Sequence, residues 1–170
     1  IELDAKITDL ENSIYEKAGQ SFNIKSPKQL GVVLFEDMGI PYPGRSKKKT
    51  GYSTSVDVLE KLRDEQPIVN DILEYRKATK LKSTYIEGLI ALIADDGKIH
   101  PHFNQTVAAT GRISCTEPNL QNIPIRDEYG RNIRKAFVTS DENHTFIGAD
   151  YSQIELRILA ALSGDEVLLD

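Results

Sequence analysis

The sequence predicts an α+β fold, in which a helical first part precedes short strands and one further helix. Apolar residues recur at helical spacing up to Leu92, and proline or glycine marks the points where helices begin and end. After Asp96 the pattern becomes an alternation of apolar and polar side chains, as in a half-buried strand. The apolar members are Ile99, Pro101, Phe103 and Val107. We therefore expect a domain boundary near Asp96, with a helical region at 1–96 and a second region at 97–170.

Two helices are predicted at the start of the chain. The first covers residues 2–18, where apolar residues lie at helical spacing and Gly19 provides a stop. Those apolar residues are Leu3, Ile7, Leu10 and Ile14. The second begins at Pro27, because Ser26 is a capping residue and Gln29 lies three residues after it. Its buried stripe and its end are predicted at Leu30, Val33, Leu34 and Gly39.

Residues 40–55 interrupt the helical pattern with proline, glycine and lysine, which predicts a loop. A short helix follows, capped near Thr54, and Pro67 separates it from a long helix. The apolar positions of these two helices are Val56, Leu59, Leu62, Ile72, Leu81, Tyr85, Leu89 and Leu92. The residues at 95–97, Asp-Asp-Gly, predict a turn after the long helix.

The end of the chain combines strand and helix patterns. Short strands are predicted at 133–138 and 145–149. The core face of a final helix is formed by Ile154, Ile158, Leu159 and Leu162. The apolar run at 145–149 delivers Asp150 to the start of this helix, a rigid placement that suits a ligand of Mg²⁺. Asp150 is therefore the first candidate metal ligand.

The composition is that of a soluble globular protein, which excludes disorder of the whole chain. At a net charge of -5, binding to nucleic acid has to depend on local basic clusters. Two such clusters are Arg45, Lys47, Lys48, Lys49 and Arg126, Arg131, Arg134, Lys135. Cys115 is the only cysteine, so an internal disulfide is excluded. Without a leader or a long apolar run, we expect a cytoplasmic protein with no membrane segment and no obligate protein partner.

Several motifs resemble those of one enzyme family. The octet from Asp150 to Arg157, DYSQIELR, resembles motif A of the family A DNA polymerases, the bacterial DNA polymerase I group. Residues 110–114 (TGRIS) and 117–126 (EPNLQNIPIR) are similar to the segment that precedes motif A in that family. The similarity continues through TKLKSTY at 79–85 and TGYSTS at 50–55. The resemblance therefore covers nearly the whole chain.

This resemblance implies a thumb at 1–96 and the first part of a palm, with short antiparallel strands, at 97–170. It also implies two-metal nucleotidyl transfer with Mg²⁺, in which Asp150 and the backbone carbonyl of Tyr151 are ligands. The substrates would be primed DNA and deoxynucleoside triphosphates. The second catalytic aspartate and the fingers helix of the family are absent from these 170 residues. We therefore expect a piece of a longer enzyme that is inactive by itself.

The resemblance also implies roles in substrate binding. Glu155 would exclude a ribose 2′ hydroxyl, and Gln153 would support the nucleotide site. Arg112 would reach the minor-groove edge at the primer terminus, where planar donors meet acceptors common to all correct pairs. Template and primer contacts would come from Asn119, Gln121, Asn122 and Arg126. Phosphate contacts would come from Lys47, Lys48, Lys49, Ser53, Thr54, Ser55, Lys80 and Lys82.

Other interpretations of these residues remain open from spacing alone. Glu155 is also typical of a solvated helix face, and asparagines beside Pro118 and Pro124 are also typical of turns. A rival function is a non-catalytic module that clamps duplex DNA, although clamping requires neither Asp150 nor Glu155. A zinc site from His100, His102 and Cys115 is rejected, because a fourth ligand is not evident.

Overall fold

The structure, a computed structural model, describes residues 2–44, 51–125 and 128–169. These residues form two compact units, one that ends at Lys135 and one that begins at Ala136. Helices dominate the first unit, which also holds a small antiparallel sheet, so the predicted α+β class is confirmed. The domain boundary near Asp96 stays a prediction.

Helix α1 spans Glu2–Ala18, as predicted. Acidic residues in its first turn and Lys17 in its last turn complement the helix dipole. The chain leaves the helix at Gly19, whose φ of +68° lies in the left-handed region that glycine adopts without a steric penalty. The stop signal in the sequence is therefore confirmed.

Helix α2 spans Pro27–Val32 and continues as a π-helix over Val33–Asp37. The Ser26 hydroxyl accepts a hydrogen bond from the Gln29 N–H at 3.4 Å, which confirms the predicted cap. The side chain of Gln29 accepts from the N–H of Asn23 at 2.8 Å, so it fixes the incoming turn. Both glutamine contacts tie the helix to the loop that precedes it.

The next helices also begin close to their predicted positions. Helix α3 spans Val56–Leu59 and continues as a 3₁₀ turn over Glu60–Leu62. Helix α4 spans Pro67–Lys80, followed without a break by a π-helix at Leu81–Glu87 and by α5 at Gly88–Ile90. Val56, one of the apolar positions that predicted α3, is the first residue of this helix and is 57% exposed.

The core of the first unit lies where α1, α2 and α3 pack against α4. Six side chains in it are fully buried, namely Ile14, Leu30, Leu34, Leu59, Val69 and Ile72. Burial of such a side chain contributes about 1.5 to 3 kcal/mol, so this cluster is the main source of stability. Around it, Lys17 pairs with Asp71, which also accepts from the Ser13 hydroxyl at 2.7 Å. These polar contacts orient α1 against α4.

The sheet follows the long helix. Strand β1, His102–Asn104, pairs antiparallel with β2, Ser114–Thr116, with Phe103 opposite Cys115. A 3₁₀ turn spans Leu120–Asn122, and α6 spans Glu128–Lys135. Cys115 is 1% exposed and its Sγ lies 3.3 Å from the Pro118 carbonyl oxygen, so the thiol is an internal packing group.

The predicted strands at 133–138 and 145–149 are wrong. Residues up to Lys135 belong to α6, and no described residue forms a strand at 145–149. A strand needs a neighbour that satisfies its backbone groups, and the described residues offer none to either segment. Ile147 is accordingly 89% exposed.

The second unit contains α7 at Ile154–Ser163 and α8 at Glu166–Leu169, joined at Gly164 with φ +66°. The position of the final helix is confirmed, but its predicted core face is not buried. Those four side chains, Ile154, Ile158, Leu159 and Leu162, are between 41% and 82% exposed. The unit is too small to cover a helix on its apolar side, and only Ala160 is buried among its described residues.

Replacing Tyr75 by phenylalanine should make the free energy of unfolding less sensitive to alkaline pH. Burial of the phenol, and secondarily the charge of Glu11, raises the pKa of Tyr75 above its ordinary value of 10.0. The associated stability is fully present below pH 10.0 and is lost as the pH rises through the folded-state pKa. Urea unfolding from about pH 9 to about pH 12 measures this loss. Parallel pH profiles for Tyr75→Phe and the unaltered chain would contradict the prediction.

Candidate nucleic-acid interface and metal ligand

Asp150 lies at the surface of the second unit, two residues before the turn at Ser152 and Gln153 that leads into α7. The turn is held by Arg157, whose Nε donates to the Ser152 carbonyl at 2.9 Å. The backbone N–H of Arg157 also donates to the Gln153 carbonyl at 3.0 Å. Both contacts of Arg157 thus lie within its own unit, on the backbone that precedes α7.

Gln153 has an unusual backbone at the start of α7. Its φ of 54° and ψ of 34° place it in the left-handed region, and its side chain makes no capping bond. A residue with a Cβ pays about 1 to 2 kcal/mol for this conformation. The strained residue separates Asp150 and Tyr151 from the helix, so the chain turns sharply between the carboxylate and the first helical turn. Glu155 lies in that first turn and is exposed, and its negative charge suits the helix N-terminus.

The oxygen atoms that precede α7 are of the chemical type that binds magnesium. The carboxylate of Asp150 and the backbone carbonyl of Tyr151 are hard oxygen donors, which Mg²⁺ prefers. Within the described residues, no three His, Cys, Asp or Glu side chains come close enough to hold a metal ion. Among the described residues, the stretch before α7 therefore offers one carboxylate and one carbonyl as candidate ligands. His100, the candidate zinc ligand, instead has Nε2 2.9 Å from Asp96 Oδ2.

Arg112 follows a tight turn in the first unit. The N–H of Gly111 donates to the Ala108 carbonyl at 3.1 Å, and the φ of Gly111 is +75°. The arginine is exposed and lies two residues before β2, so the sheet anchors its backbone.

The amide side chains of Asn119, Gln121 and Asn122 are all exposed, and their backbone is fixed. Asn119 Oδ1 accepts from the Gln121 N–H at 3.1 Å, which caps the 3₁₀ turn. Gln121 Nε2 donates to the Ile113 carbonyl at 3.2 Å. The hydroxyl of Tyr85 donates to the Asn122 carbonyl at 2.6 Å. This exposed segment, Asn119–Asn122, is called the amide segment below.

Arg134 holds the backbone that follows the amide segment. Its guanidinium donates to the carbonyls of Ile123 at 3.1 Å and Pro124 at 3.3 Å. Sequence reasoning treated Arg134 as one member of a basic cluster and missed this role, since the contacts join residues ten and eleven positions apart. Arg126, predicted to contact DNA, lies outside the described residues.

Lys80 shares a cavity with the amide segment. The cavity has a volume of about 420 Å³ and is lined by Lys80, Thr84, Tyr85, Leu89, Pro118, Asn119 and Asn122. Lys80 is exposed and forms no ion pair with any described residue. The structure thus brings a cationic side chain of the long helix together with two of the predicted amides.

Lys82 has a different environment, because its ammonium group pairs with Asp4 and lies 3.5 Å from Glu87 Oε1. The hydrogen bond and charge of Asp4 raise the pKa of Lys82, and Lys82 in turn lowers the pKa of Asp4. Phosphate binding by Lys82 stays a prediction, and it would have to compete with these carboxylates.

The segment Ser53–Ser55 is anchored through its middle residue. Thr54 is 4% exposed, and Arg76 donates to both its carbonyl and its hydroxyl, the latter at 3.0 Å. Desolvation of the guanidinium lowers the pKa of Arg76. Ser53 and Ser55 flank this anchor, with their hydroxyl oxygens 3.3 Å apart. The sequence did not reveal Arg76, and the neighbouring Lys47, Lys48 and Lys49 lie outside the described residues.

A model of DNA polymerase family A matches residues 1–170. The chain belongs to this family. DNA polymerase I of Bacillus subtilis is 58% identical over 170 residues, which is 99% of this chain and 19% of that protein. The thermostable DNA polymerase I of Thermus thermophilus is 50% identical over 170 residues, 99% of this chain and 20% of that protein. The chain thus spans about a fifth of the length of the curated family A relatives that it matches.

Solved structures agree with the family A assignment. The POL domain of Pol1 from M. smegmatis, in complex with DNA primer-template and dNTP, matches with a TM-score of 0.83 and 48% identity. The match covers 97% of this chain and 29% of that domain. The family suggested by motif A and by the upstream segments is therefore confirmed. No helix among the described residues is both long and apolar enough to cross a membrane.

Replacing Arg76 by glutamine should lower the free energy of unfolding by about 1 to 3 kcal/mol, because buried groups of Thr54 lose their donors. The matched control is Arg63→Gln, since Arg63 is 49% exposed and pairs with Glu60 at 3.3 Å. An exposed pair of this kind contributes about 1 kcal/mol or less. Urea unfolding of both variants measures the difference. Equal losses for the two would show that Arg76 does not anchor Thr54.

Proposed function

We propose that this chain is the thumb, at 1–96, and the first part of the palm, at 97–170, of a DNA-directed DNA polymerase. The enzyme would extend primed DNA with deoxynucleoside triphosphates by two-metal nucleotidyl transfer. The observation that carries the proposal is Asp150, which a family A chain exposes just before the turn that Arg157 holds at the start of α7. A polymerase domain with 48% identity is described with DNA primer-template and dNTP, which supports the same substrates.

Asp150 and the carbonyl of Tyr151 would hold Mg²⁺. A bound ion of this kind stabilises charge that develops on the attacking and leaving oxygens of the phosphoryl group. Asp150 is suited to its part because it is exposed and because Arg157 fixes the turn that begins two residues after it. Tyr151 is 80% exposed, so its side chain does not enclose the turn.

Glu155 and Gln153 would contribute to nucleotide selection. Both lie within one helical turn of Tyr151, at the start of α7. A carboxylate at this rigid position would occupy space that a ribose 2′ hydroxyl needs, and would thereby favour deoxynucleotides. The left-handed backbone of Gln153 sets the direction from which α7 leaves the metal-ligand turn.

The first unit would bind the duplex without selecting a sequence. Asn119, Gln121 and Asn122 carry amides that both donate and accept, as contacts to the minor groove require. Arg112 would add donors at the primer terminus, and Lys80 would contact a phosphate. Ser53 and Ser55 would offer hydroxyls to the backbone. The contacts assigned to Lys82, Arg126 and the lysines at 47–49 are proposed on the same resemblance. Thr54 was predicted to contact DNA as well, but it is buried and bound by Arg76, so it would act only by fixing Ser53 and Ser55.

We expect the 170-residue chain to bind primed duplex weakly and to lose affinity as salt rises, since its basic contacts displace counterions. We also expect no primer extension by this chain alone. The described residues bring a single carboxylate to the metal turn, and one carboxylate does not hold two ions. A purely duplex-clamping module is not favoured, because the family match includes the segment with Asp150 and Glu155.

Asp150→Asn, made in the complete polymerase that contains these residues, should lower the rate of primer extension at least about a hundredfold. Loss of one anionic ligand removes several kcal/mol of transition-state stabilisation, and each 1.4 kcal/mol corresponds to about tenfold in rate. The dissociation constant for primed duplex should change less than about threefold, because the contacts to DNA come from other residues.

The control for this measurement is Glu142→Gln, an exposed acidic position of the second unit outside the proposed site. Its extension rate should match that of the unaltered enzyme. Extension that survives in Asp150→Asn would remove Asp150 from the catalytic site and would overturn the proposed mechanism.

A further inference from the structure

One hydrogen bond connects the long helical segment to the amide segment. The ring of Tyr85 is 8% exposed, and its hydroxyl donates to the Asn122 carbonyl at 2.6 Å across 37 positions of sequence. The length is at the short end of the range for O–H···O bonds. Because the ring is buried, as are Leu81 and Leu89 four residues to either side, the hydroxyl has little freedom to follow a moving partner.

The bond acts on the backbone and leaves the side-chain amides exposed. Asn119 Oδ1 and Gln121 Nε2 fix the start of the amide segment to itself and to Ile113. The end of the segment depends on an outside group, the hydroxyl of Tyr85. The Asn122 amide has no hydrogen-bond partner among the described residues, so it is available to a ligand.

Tyr85 and Lys80 belong to the same continuous helical segment. Lys80 is the last residue of α4, and Tyr85 lies in the π-helix that follows. Wide π turns re-aim side chains and occur often at functional sites. Here Lys80 and Thr84 are exposed and Tyr85 is buried. All three residues line the cavity of about 420 Å³.

We propose that Tyr85 is a positioning residue for duplex binding. Its hydroxyl sets the spacing between Lys80, which takes a phosphate, and the amides of Asn119 and Asn122, which take base edges in the minor groove. The ligand is a nucleic-acid duplex of any sequence, because neither an ammonium group nor these amides distinguish base pairs at such contacts. The inference rests on the proposed function and adds to it a residue that does not touch DNA.

Tyr85→Phe in the 170-residue chain tests this role, since the change removes one oxygen and keeps the packed ring. We expect its affinity for a primed duplex at low salt to fall about three- to tenfold. The slope of log affinity against log salt should stay unchanged, because no phosphate contact is lost. The control is Tyr15→Phe, whose hydroxyl also donates to a carbonyl, that of Phe22 at 2.9 Å, on a different part of the unit. Tyr15→Phe should bind like the unaltered chain, although it also loses a hydrogen bond.

Lys80→Gln separates positioning from a general loss of stability. The slope of log affinity against log salt should become shallower by about one, because one phosphate contact is lost. If Tyr85 acts through the spacing, the combined variant Lys80→Gln/Tyr85→Phe should lose less affinity than the two single losses predict together.

Three results would overturn the inference. They are unchanged affinity in Tyr85→Phe, an equal loss in Tyr15→Phe, and full additivity with Lys80→Gln. Absence of binding by the unaltered chain at low salt is a distinct failure, because it would remove the proposed DNA interface itself.

Discussion

Burial of one face of the helical segment from Pro67 to Ile90 is the constraint on which the first unit depends. Its N-terminal half supplies Val69 and Ile72 to a core shared with α1, α2 and α3. Once that face is fixed, the positions of the other side chains of the same segment follow. Arg76 anchors Thr54, Lys80 reaches solvent, and Tyr85 holds Asn122. A single packed element thus places three regions that are distant in sequence.

Local signals in the sequence predicted the helices well, and long-range contacts explain the rest. Ser26 and Gly19 act on the backbone within one helical turn. The helix start and the helix end that they mark could therefore be predicted directly from the sequence. The contacts of Arg76 and Tyr85 span 22 and 37 positions, and no periodicity encodes them. A buried tyrosine usually has a partner for its hydroxyl, which is the one signal that could have prompted the search at Tyr85.

The errors in the second unit have a different origin. The apolar runs at 145–149 and along α7 were interpreted as a strand and a core face, since apolar periodicity predicts burial. Burial also requires a neighbouring surface, and the described residues of this unit do not supply one to Ile147 or Leu162. The position of Asp150 could be predicted because the sequence shows an apolar run, then the aspartate, and then the start of a helix. The left-handed Gln153 and the bond from Arg157 could not be predicted from that order.

The most direct test is hydrogen–deuterium exchange of the chain, measured with and without primed duplex. It asks whether the long helical segment organises the proposed DNA-binding surface. The account predicts that duplex slows exchange at the amide segment and at residues 80–85 together. Exchange in the second half of α1, where Ser13 and Lys17 contact Asp71 of α4, should stay the same. Slower exchange at the amide segment without any change at residues 80–85 would contradict the account, because the two regions would then respond independently.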